Sequence, residues 1–336
     1  MLLGIFVSVL PVFLFLGALV LIDSYKLVAL RAVLFAVVAG IVAGFASYAV
    51  NVWLRPSLAM DLLTYSRYVA PPIEETLKAT YIIYLMSRSK VGFVVDAAIF
   101  GFGIGTGFAF LENLYYLTVN PDASIWTWFI RGFGTAVMHG GTTAIFAMVG
   151  RTLHNRAESF RIALMLPGLI AAIVLHSLYN HFLVQPLLAT GLIVLVFPYL
   201  SFAVFQQSER DTRAWLGSGF DTDQELLKAV RSGQVAATPV GKYLSTLRRQ
   251  FPPEAIVDMM CLLRLRAELG IRAKGVLMAR EAGFEAAPDP ALPNKFEELR
   301  YLEQSIGKTG MRALQPFIYT TTQDLWQLNM LDEAHG

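Results

Sequence analysis

The chain has 336 residues, of which 55% are hydrophobic and only 15% are charged, and its mean hydropathy is +0.54. Soluble domains average about 25% charged residues, so this composition excludes an ordinary soluble protein. The formal net charge is only +2, which provides no basic surface of the kind that nucleic-acid binding needs. We therefore expect no nucleic-acid partner.

The charged residues are distributed unevenly along the chain. Residues 1–208 contain 11 Lys and Arg and 8 Asp and Glu, whereas residues 209–336 contain 16 and 17. This contrast predicts an all-α protein in two parts, a polytopic membrane helix bundle over 1–208 and a soluble, mostly helical C-terminal domain over 209–336. Cys261 is the only cysteine, which excludes an intramolecular disulfide.

Seven stretches of the first part are long and apolar enough to cross a bilayer core about 30 Å thick as helices. The predicted spans are 3–22, 28–53, 69–86, 91–118, 126–149, 162–184 and 187–206. The first span has no basic residue before it and no small-residue cleavage site after it. We therefore expect a retained helix and not a signal peptide.

The basic residues of the short loops predict the orientation in the cell membrane. Loops one, three and five contain seven basic residues, Lys26, Arg31, Arg88, Lys90, Arg151, Arg156 and Arg161, and loops two, four and six contain three, Arg55, Arg67 and Arg131. Because cytoplasmic loops hold the excess of basic residues, we expect the N-terminus outside the cell and the C-terminal domain in the cytoplasm.

The C-terminal domain contains a helical run that begins at the Pro252–Pro253 pair and is predicted to stop at Gly270, as helix ends prefer. We find no catalytic spacing of residues in this domain. Its composition is typical of a regulatory or docking module.

The third predicted span carries two acids and a lysine. An ionisable side chain inside a span costs about 2.5–3.5 kcal/mol at the helix centre, so each one needs a reason. Glu74 and Glu75 follow a proline pair, and Lys78 lies within one helical turn of both, so it can pair with either acid. Without a catalytic role, these acids are helix-end residues that the helix dipole and the lysine stabilise.

The fourth predicted span has a run of glycines and a carboxylate. The glycines at 101, 103, 105 and 107 are spaced for close helix packing in lipid and lack the pattern of a nucleotide-binding loop. Glu112 has no lysine within one turn. It is therefore expected to find its partner on another helix.

The fifth and sixth predicted spans contribute two imidazoles. His139 lies among glycines and threonines, and His176 shares a helix face with Asn180, four residues further on. With the predicted orientation, a rise of about 1.5 Å per residue puts the three acids about 6–10 Å, His176 about 12 Å and His139 about 20 Å inside the outer boundary. These comparable depths predict one site in the outer half of the bilayer.

Carboxylates and imidazoles without a nucleophilic Ser or Cys suggest that the site activates water for hydrolysis. In a metal version, Glu112, His139 and His176 ligate zinc, and Glu75 or Glu74 takes the proton. In a metal-free version, a glutamate assisted by Glu112 activates the water. His176 and Asn180 then donate hydrogen bonds to the developing oxyanion. The sequence leaves both versions open, and the metal version gives His139 a task that the other does not.

Together these motifs resemble the PrsW family of intramembrane proteases, which is related to the type II CaaX prenyl endopeptidases. The matching residues are Glu74, Glu75 and Lys78 in E-E-x-x-K, Phe108, Glu112 and Asn113 in F-x-x-x-E-N, the isolated His139, and His176 and Asn180 in H-x-x-x-N. CaaX enzymes have E-E-x-x-x-R and a histidine in the place of Glu112. Both departures favour PrsW and point away from prenylated substrates.

The resemblance covers about residues 69–184. It implies cleavage of membrane-anchored proteins on the extracytoplasmic side, with anti-sigma factors as the best-known substrate class. It also implies that Glu74 and Glu75 are catalytic, and that Glu112, His139 and His176 are catalytic or hold a zinc ion.

Two other functions fit a membrane protein with buried acids. A proton- or cation-coupled transporter would use the same cluster, but it would need polar positions through the whole membrane depth, and the cytoplasmic half offers chiefly Asp96. A noncatalytic receptor that signals through the C-terminal domain would leave the buried acids unexplained. The sequence therefore favours the protease.

Overall fold

The structure is a computed structural model that describes residues 2–155, 160–284, 287, 289–318 and 322–333. These residues form helices joined by short connections, and no strand occurs among them. The prediction of an all-α protein is confirmed. Arg156, one of the basic residues counted for the orientation, lies outside the described residues.

The chain divides into two compact units, Met1–Glu209 and Arg210–Gly336. A π-helical turn, Ile130–Thr135, joins α6 to α7, and a short 3₁₀ turn, Ile162–Met165, precedes α8. The helices that begin in the first unit are α1 Leu2–Ile22, α2 Leu30–Leu58, α3 Leu62–Tyr68, α4 Ala70–Ser87, α5 Val94–Val119, α6 Ile125–Phe129, α7 Ala136–His154, α8 Leu166–Asn180 and α9 Pro186–Arg231.

Five helical segments of the described chain are long and apolar enough to cross a membrane. They are Leu3–Ile22, Leu30–Leu58, Val94–Val119, Ile162–Asn180 and Pro186–Arg231. The other two predicted spans correspond to α4 and to α6 with α7, which are helical but carry the polar side chains of the candidate site. The helices therefore support membrane integration, and the count of seven spans stays a prediction.

Helix α5 lies at the centre of the first unit and packs tightly against two neighbours. A Cβ atom on Gly101 or Gly105 would overlap backbone atoms of α7, and one on Gly107 would overlap the backbone of α2. Gly103 also faces α2, where a Cβ atom would contact Ala36. The run of glycines thus lets both helices approach α5 closely, as its spacing predicts.

Four helices surround the hydrophobic core of the second unit. They are α10 Pro239–Leu247, α11 Pro253–Glu281, α12 Leu292–Ile318 and α13 Thr322–Glu333, and the most buried core side chains include Met259, Leu262, Leu277 and Leu314. The assignment of this unit as a soluble domain stays a prediction.

Helix α11 begins at Pro253 as predicted, but the predicted stop at Gly270 is wrong, because the helix continues to Glu281. A Cβ atom on Gly270 would lie 2.8 Å from Oδ2 of Asp223. This glycine permits a close approach between helices and does not end one.

Candidate active site

Three helices, α4, α7 and α8, meet around the carboxylate of Glu75. Helix α4 begins with Pro71 and Pro72 in its first turn, where a missing N–H group leaves no hydrogen bond unmade. Glu75 follows one turn later, and it is 2% exposed. Its Oε1 atom lies 2.5 Å from Nζ of Lys78 and 2.8 Å from Nδ1 of His176, and the hydroxyl of Thr142 donates to it at 3.3 Å.

These contacts allow Glu75 to neutralise Lys78 and to orient the ring of His176. Lys78 is fully buried, so the carboxylate supplies the negative charge that the ammonium needs. A carboxylate that accepts from Nδ1 of a histidine fixes the ring and leaves the lone pair on Nε2. The lone pair of His176 therefore points away from Glu75.

Glu74 lies on the other side of His176. Its Oε2 atom is 3.8 Å from Nε2 of His176, and its side chain is 14% exposed. That separation is too long for a direct hydrogen bond. Glu74 is thus the more accessible acid of the pair, and Glu75 the more deeply buried one.

His139 bridges the remaining groups of the cluster. Its Nδ1 atom lies 3.2 Å from Nζ of Lys78, and its Nε2 atom lies 3.1 Å from Oε2 of Glu112. The rings of His139 and His176 are in edge-to-face contact with their centroids 4.8 Å apart. Because an ammonium only donates hydrogen bonds, Lys78 makes Nδ1 the acceptor and gives the Nε2 proton to Glu112.

Glu112 finds its partners on other helices, as its isolation in the sequence predicts. Besides His139, it contacts Arg131, whose Nη2 atom lies 3.0 Å from Oε2 of Glu112. Arg131 was predicted only as a basic residue of loop four, and this ion pair was not predicted from the sequence. The available signal was that Arg131 lies inside the predicted span 126–149, where an arginine needs an acidic partner.

The cluster lies on the wall of a cavity of about 850 Å³, a volume within the range of ligand sites. Polar residues of the cluster that line it are Glu74, Glu112, Arg131, His139 and His176. Many of its other lining side chains are aromatic, among them Phe45, Tyr48, Phe108, Tyr115, Tyr116, Tyr179 and Phe182. A cavity that is mostly apolar, with polar groups converging at one wall, can hold a peptide segment and present it to those groups.

The signature of the PrsW family intramembrane metalloproteases matches residues 24–205, which is more than half of the chain. The chain belongs to this family. Comparison with curated proteins and with solved structures gives no match. Membership in the PrsW family makes the chain an intramembrane peptidase, and the matched range includes the whole cluster but not α1.

The donor atoms present fit the metal that the PrsW family name implies. Glu74, His139 and His176 each offer one ligand atom, and these atoms lie within 4.8 Å of one another. Two imidazoles and one carboxylate are a donor set of catalytic zinc sites. The set predicted from the sequence contained Glu112 in the place of Glu74, and in the structure Glu112 is paired with Arg131.

Asn180, the remaining residue of the predicted site, lines the cavity one turn beyond His176. Its side-chain amide donates to the carbonyl of Ser66 at 2.8 Å. The hydroxyl of Ser177 donates to the carbonyl of Arg67 at 2.6 Å. These bonds attach α3 to the end of α8, so Asn180 has a structural contact besides its place on the cavity wall.

Proposed function

We propose that this PrsW family protein is an intramembrane endopeptidase that hydrolyses a peptide bond of a membrane-anchored protein, such as an anti-sigma factor. The observation that supports the proposal is the convergence of Glu74, Glu112, His139 and His176, from four helices, on one wall of the cavity. A substrate segment in the cavity would meet all of these groups at once.

Glu74 and His176 activate the water in this proposal. A gap of 3.8 Å between Oε2 of Glu74 and Nε2 of His176 suits a water molecule that bonds to both. Glu74 takes the proton as general base, since it is the more accessible carboxylate, and Glu75 keeps His176 in the required tautomer. The protonated residue then returns the proton to the leaving amine.

Asn180 stabilises the oxyanion of the tetrahedral intermediate. An amide NH₂ group has two hydrogens, and the bond to Ser66 uses one of them. The second hydrogen is the donor that this proposal assigns to the oxyanion, since a preorganised donor at such a position stabilises the developing charge.

In the alternative, metal-dependent scheme, Glu74 would be a ligand and not the free base: Glu74, His139 and His176 would hold a zinc ion, which when bound lowers the pKa of a ligated water and polarises the scissile carbonyl. Ligation through Nε2 of His139 needs the other tautomer of this ring, so it has to replace the contacts of the ring with both Glu112 and Lys78. Metal content therefore distinguishes a metalloprotease from a glutamic protease.

The cleavage occurs in the outer half of the bilayer if the protein has seven spans, with the N-terminus outside and the C-terminal domain in the cytoplasm. This arrangement rests on the count of basic residues in the loops. It brings the cavity to the extracytoplasmic side, where the membrane anchor of a substrate ends.

Co-expression with a library of single-span membrane proteins tests the function. Wild type is expected to cleave a subset of the library, and Glu74→Gln and His176→Ala are expected to abolish that cleavage. Glu254→Gln, an exposed glutamate of α11, is the matched control and is expected to cleave as wild type does. Cleavage by Glu74→Gln at the wild-type level would contradict the proposal.

A further inference from the structure

Arg131 makes three contacts with one face of α5. Its Nη2 atom lies 3.0 Å from Oε2 of Glu112, and its Nε atom donates to Oδ1 of Asn113 at 2.8 Å. The guanidinium carbon lies 3.6 Å from the centre of the Tyr116 ring. A planar guanidinium that makes one hydrogen bond, one ion pair and one stacking contact has a fixed orientation.

This orientation restricts Glu112 as well. The Oε2 atom that meets Arg131 is the same atom that meets Nε2 of His139 at 3.1 Å. Arg131 therefore holds the carboxylate at the position from which it contacts the imidazole. Without the guanidinium, the side chain of Glu112, which is 27% exposed, can rotate away from His139 within the cavity that it lines.

The backbone that carries Arg131 is supported from α1. Arg131 lies in the π-helical turn Ile130–Thr135, an irregularity that is frequent at functional sites. A Cβ atom on Gly132 would overlap the carbonyl oxygen of Val7 in α1. The amide of Asn113 donates to the carbonyl of Ser8 in the same helix at 2.6 Å. Helix α1 thus packs against the turn that carries Arg131 and against Asn113, which accepts a hydrogen bond from Arg131. This helix lies outside the range that the family signature matches.

We propose that Arg131, supported by α1, is a positioning residue that acts on the reaction through Glu112 and His139. The inference rests on the proposed function, because it assigns a task within the same site. Arg131 contacts no reacting atom in this scheme, and its effect on the rate passes through the carboxylate of Glu112 to the ring of His139, which packs edge-to-face on His176.

A double-mutant cycle on cleavage tests the inference. Purified wild type, Arg131→Gln, Glu112→Gln and the double variant are compared for kcat and KM with one cleavable single-span substrate. Loss of an orienting partner typically lowers activity by about 10–100-fold, and we expect each single variant to lose kcat in that range with little change of KM. The double variant is expected to be no slower than Glu112→Gln, since Arg131 has no route other than Glu112.

Independent readouts come from a conservative substitution of Arg131 and from alanine substitutions of two glycines. Arg131→Lys keeps the charge that pairs with Glu112 but cannot contact Asn113 at the same time, so it is expected to recover only part of the lost kcat. Gly132→Ala is expected to lower kcat, because the added carbon pushes the π-helical turn away from α1. Gly17→Ala in α1, where a Cβ atom meets nothing within 4 Å, is the control and is expected to leave kcat unchanged.

The possible results separate this inference from the proposed function. A double variant whose loss equals the product of the two single losses, or an Arg131→Gln variant that changes KM alone, overturns the role of Arg131 while the protease assignment stands. Cleavage at the wild-type rate in Glu74→Gln overturns the proposed function, and with it the inference.

Discussion

Oε1 of Glu75 and Nδ1 of His176 lie 2.8 Å apart, although 101 positions separate the two residues in the chain. The same oxygen is 2.5 Å from Nζ of Lys78. One buried carboxylate atom therefore contacts both the imidazole of His176 and the buried ammonium of Lys78. Glu74, the neighbour of Glu75 in sequence, faces the cavity instead. Adjacent carboxylates on one helix therefore have different environments and are expected to have different tasks.

Substitution of the two glutamates by glutamine separates these tasks. Glu74→Gln is expected to lower kcat by about 10²–10⁴-fold, the usual contribution of a general base, with little change in stability. Glu75→Gln is expected to destabilise the protein by about 3–5 kcal/mol, because it leaves the buried Lys78 without its charge partner.

Thermal unfolding in detergent micelles and cleavage of a membrane-anchored substrate are the two measurements. Asp61→Asn, at the fully exposed N-cap of α3, is a control for the loss of one carboxylate outside the cluster. Equal melting temperatures for the two glutamine variants would contradict the distinction between Glu74 and Glu75.

The contact between α5 and α7 is expected to depend on Gly105. A Cβ atom at this position would overlap the carbonyl oxygen of His139, and backbone atoms cannot rotate away as a side chain can. Gly105→Ala is therefore expected to destabilise the bundle by about 1–3 kcal/mol, as overpacking does, and to lower kcat by displacing His139.

Gly191→Ala in α9 is the matched control for Gly105→Ala, since a Cβ atom there meets nothing within 4 Å. Melting temperature and kcat of both variants are compared with wild type. Unchanged values for Gly105→Ala would mean that the two helices can separate without affecting the imidazole.

The sequence was sufficient for the parts of the fold that depend on local patterns. These patterns act within one or two turns of a helix, and they include the apolar spacing of the helices, the proline pair before Glu74 and the glycines of α5. The structure agrees with what they predict. The isolation of Glu112 also predicted that its partner comes from another helix, and Arg131 and His139 fill that role.

Other features depend on contacts between distant segments, and these were not predictable from local patterns. The stop predicted at Gly270 failed because the glycine meets Asp223 of another helix, which no property of α11 reveals. The π-helical turn that carries Arg131 packs on α1, and the local sequence does not reveal this contact. Likewise, the choice of Lys78 between Glu74 and Glu75 was open until the position of His176 was known.

The predicted orientation in the membrane can be tested with single cysteines. In a Cys261→Ala background, Asp122→Cys in the connection after α5 and Tyr301→Cys in α12 introduce thiols at two exposed positions. A membrane-impermeant maleimide added to intact cells is expected to label the first variant and not the second, because the loop is predicted outside and the C-terminal domain inside. Both variants are expected to react after the cells are lysed, and the reverse labelling pattern in intact cells would place the site in the inner half of the bilayer.

Metal analysis of the purified protein decides between the two hydrolytic schemes. The donor set of Glu74, His139 and His176 predicts about one zinc ion per chain, and loss of either imidazole removes a ligand. His176→Ala is therefore expected to purify without zinc, and a chelator is expected to remove both the metal and the activity of wild type. His181→Ala is the matched histidine control, because this ring contacts Tyr68 at 3.0 Å outside the cluster and should leave the zinc content unchanged. A wild-type protein that cleaves its substrate without bound metal would reject the zinc scheme and leave Glu74 as the agent that activates water.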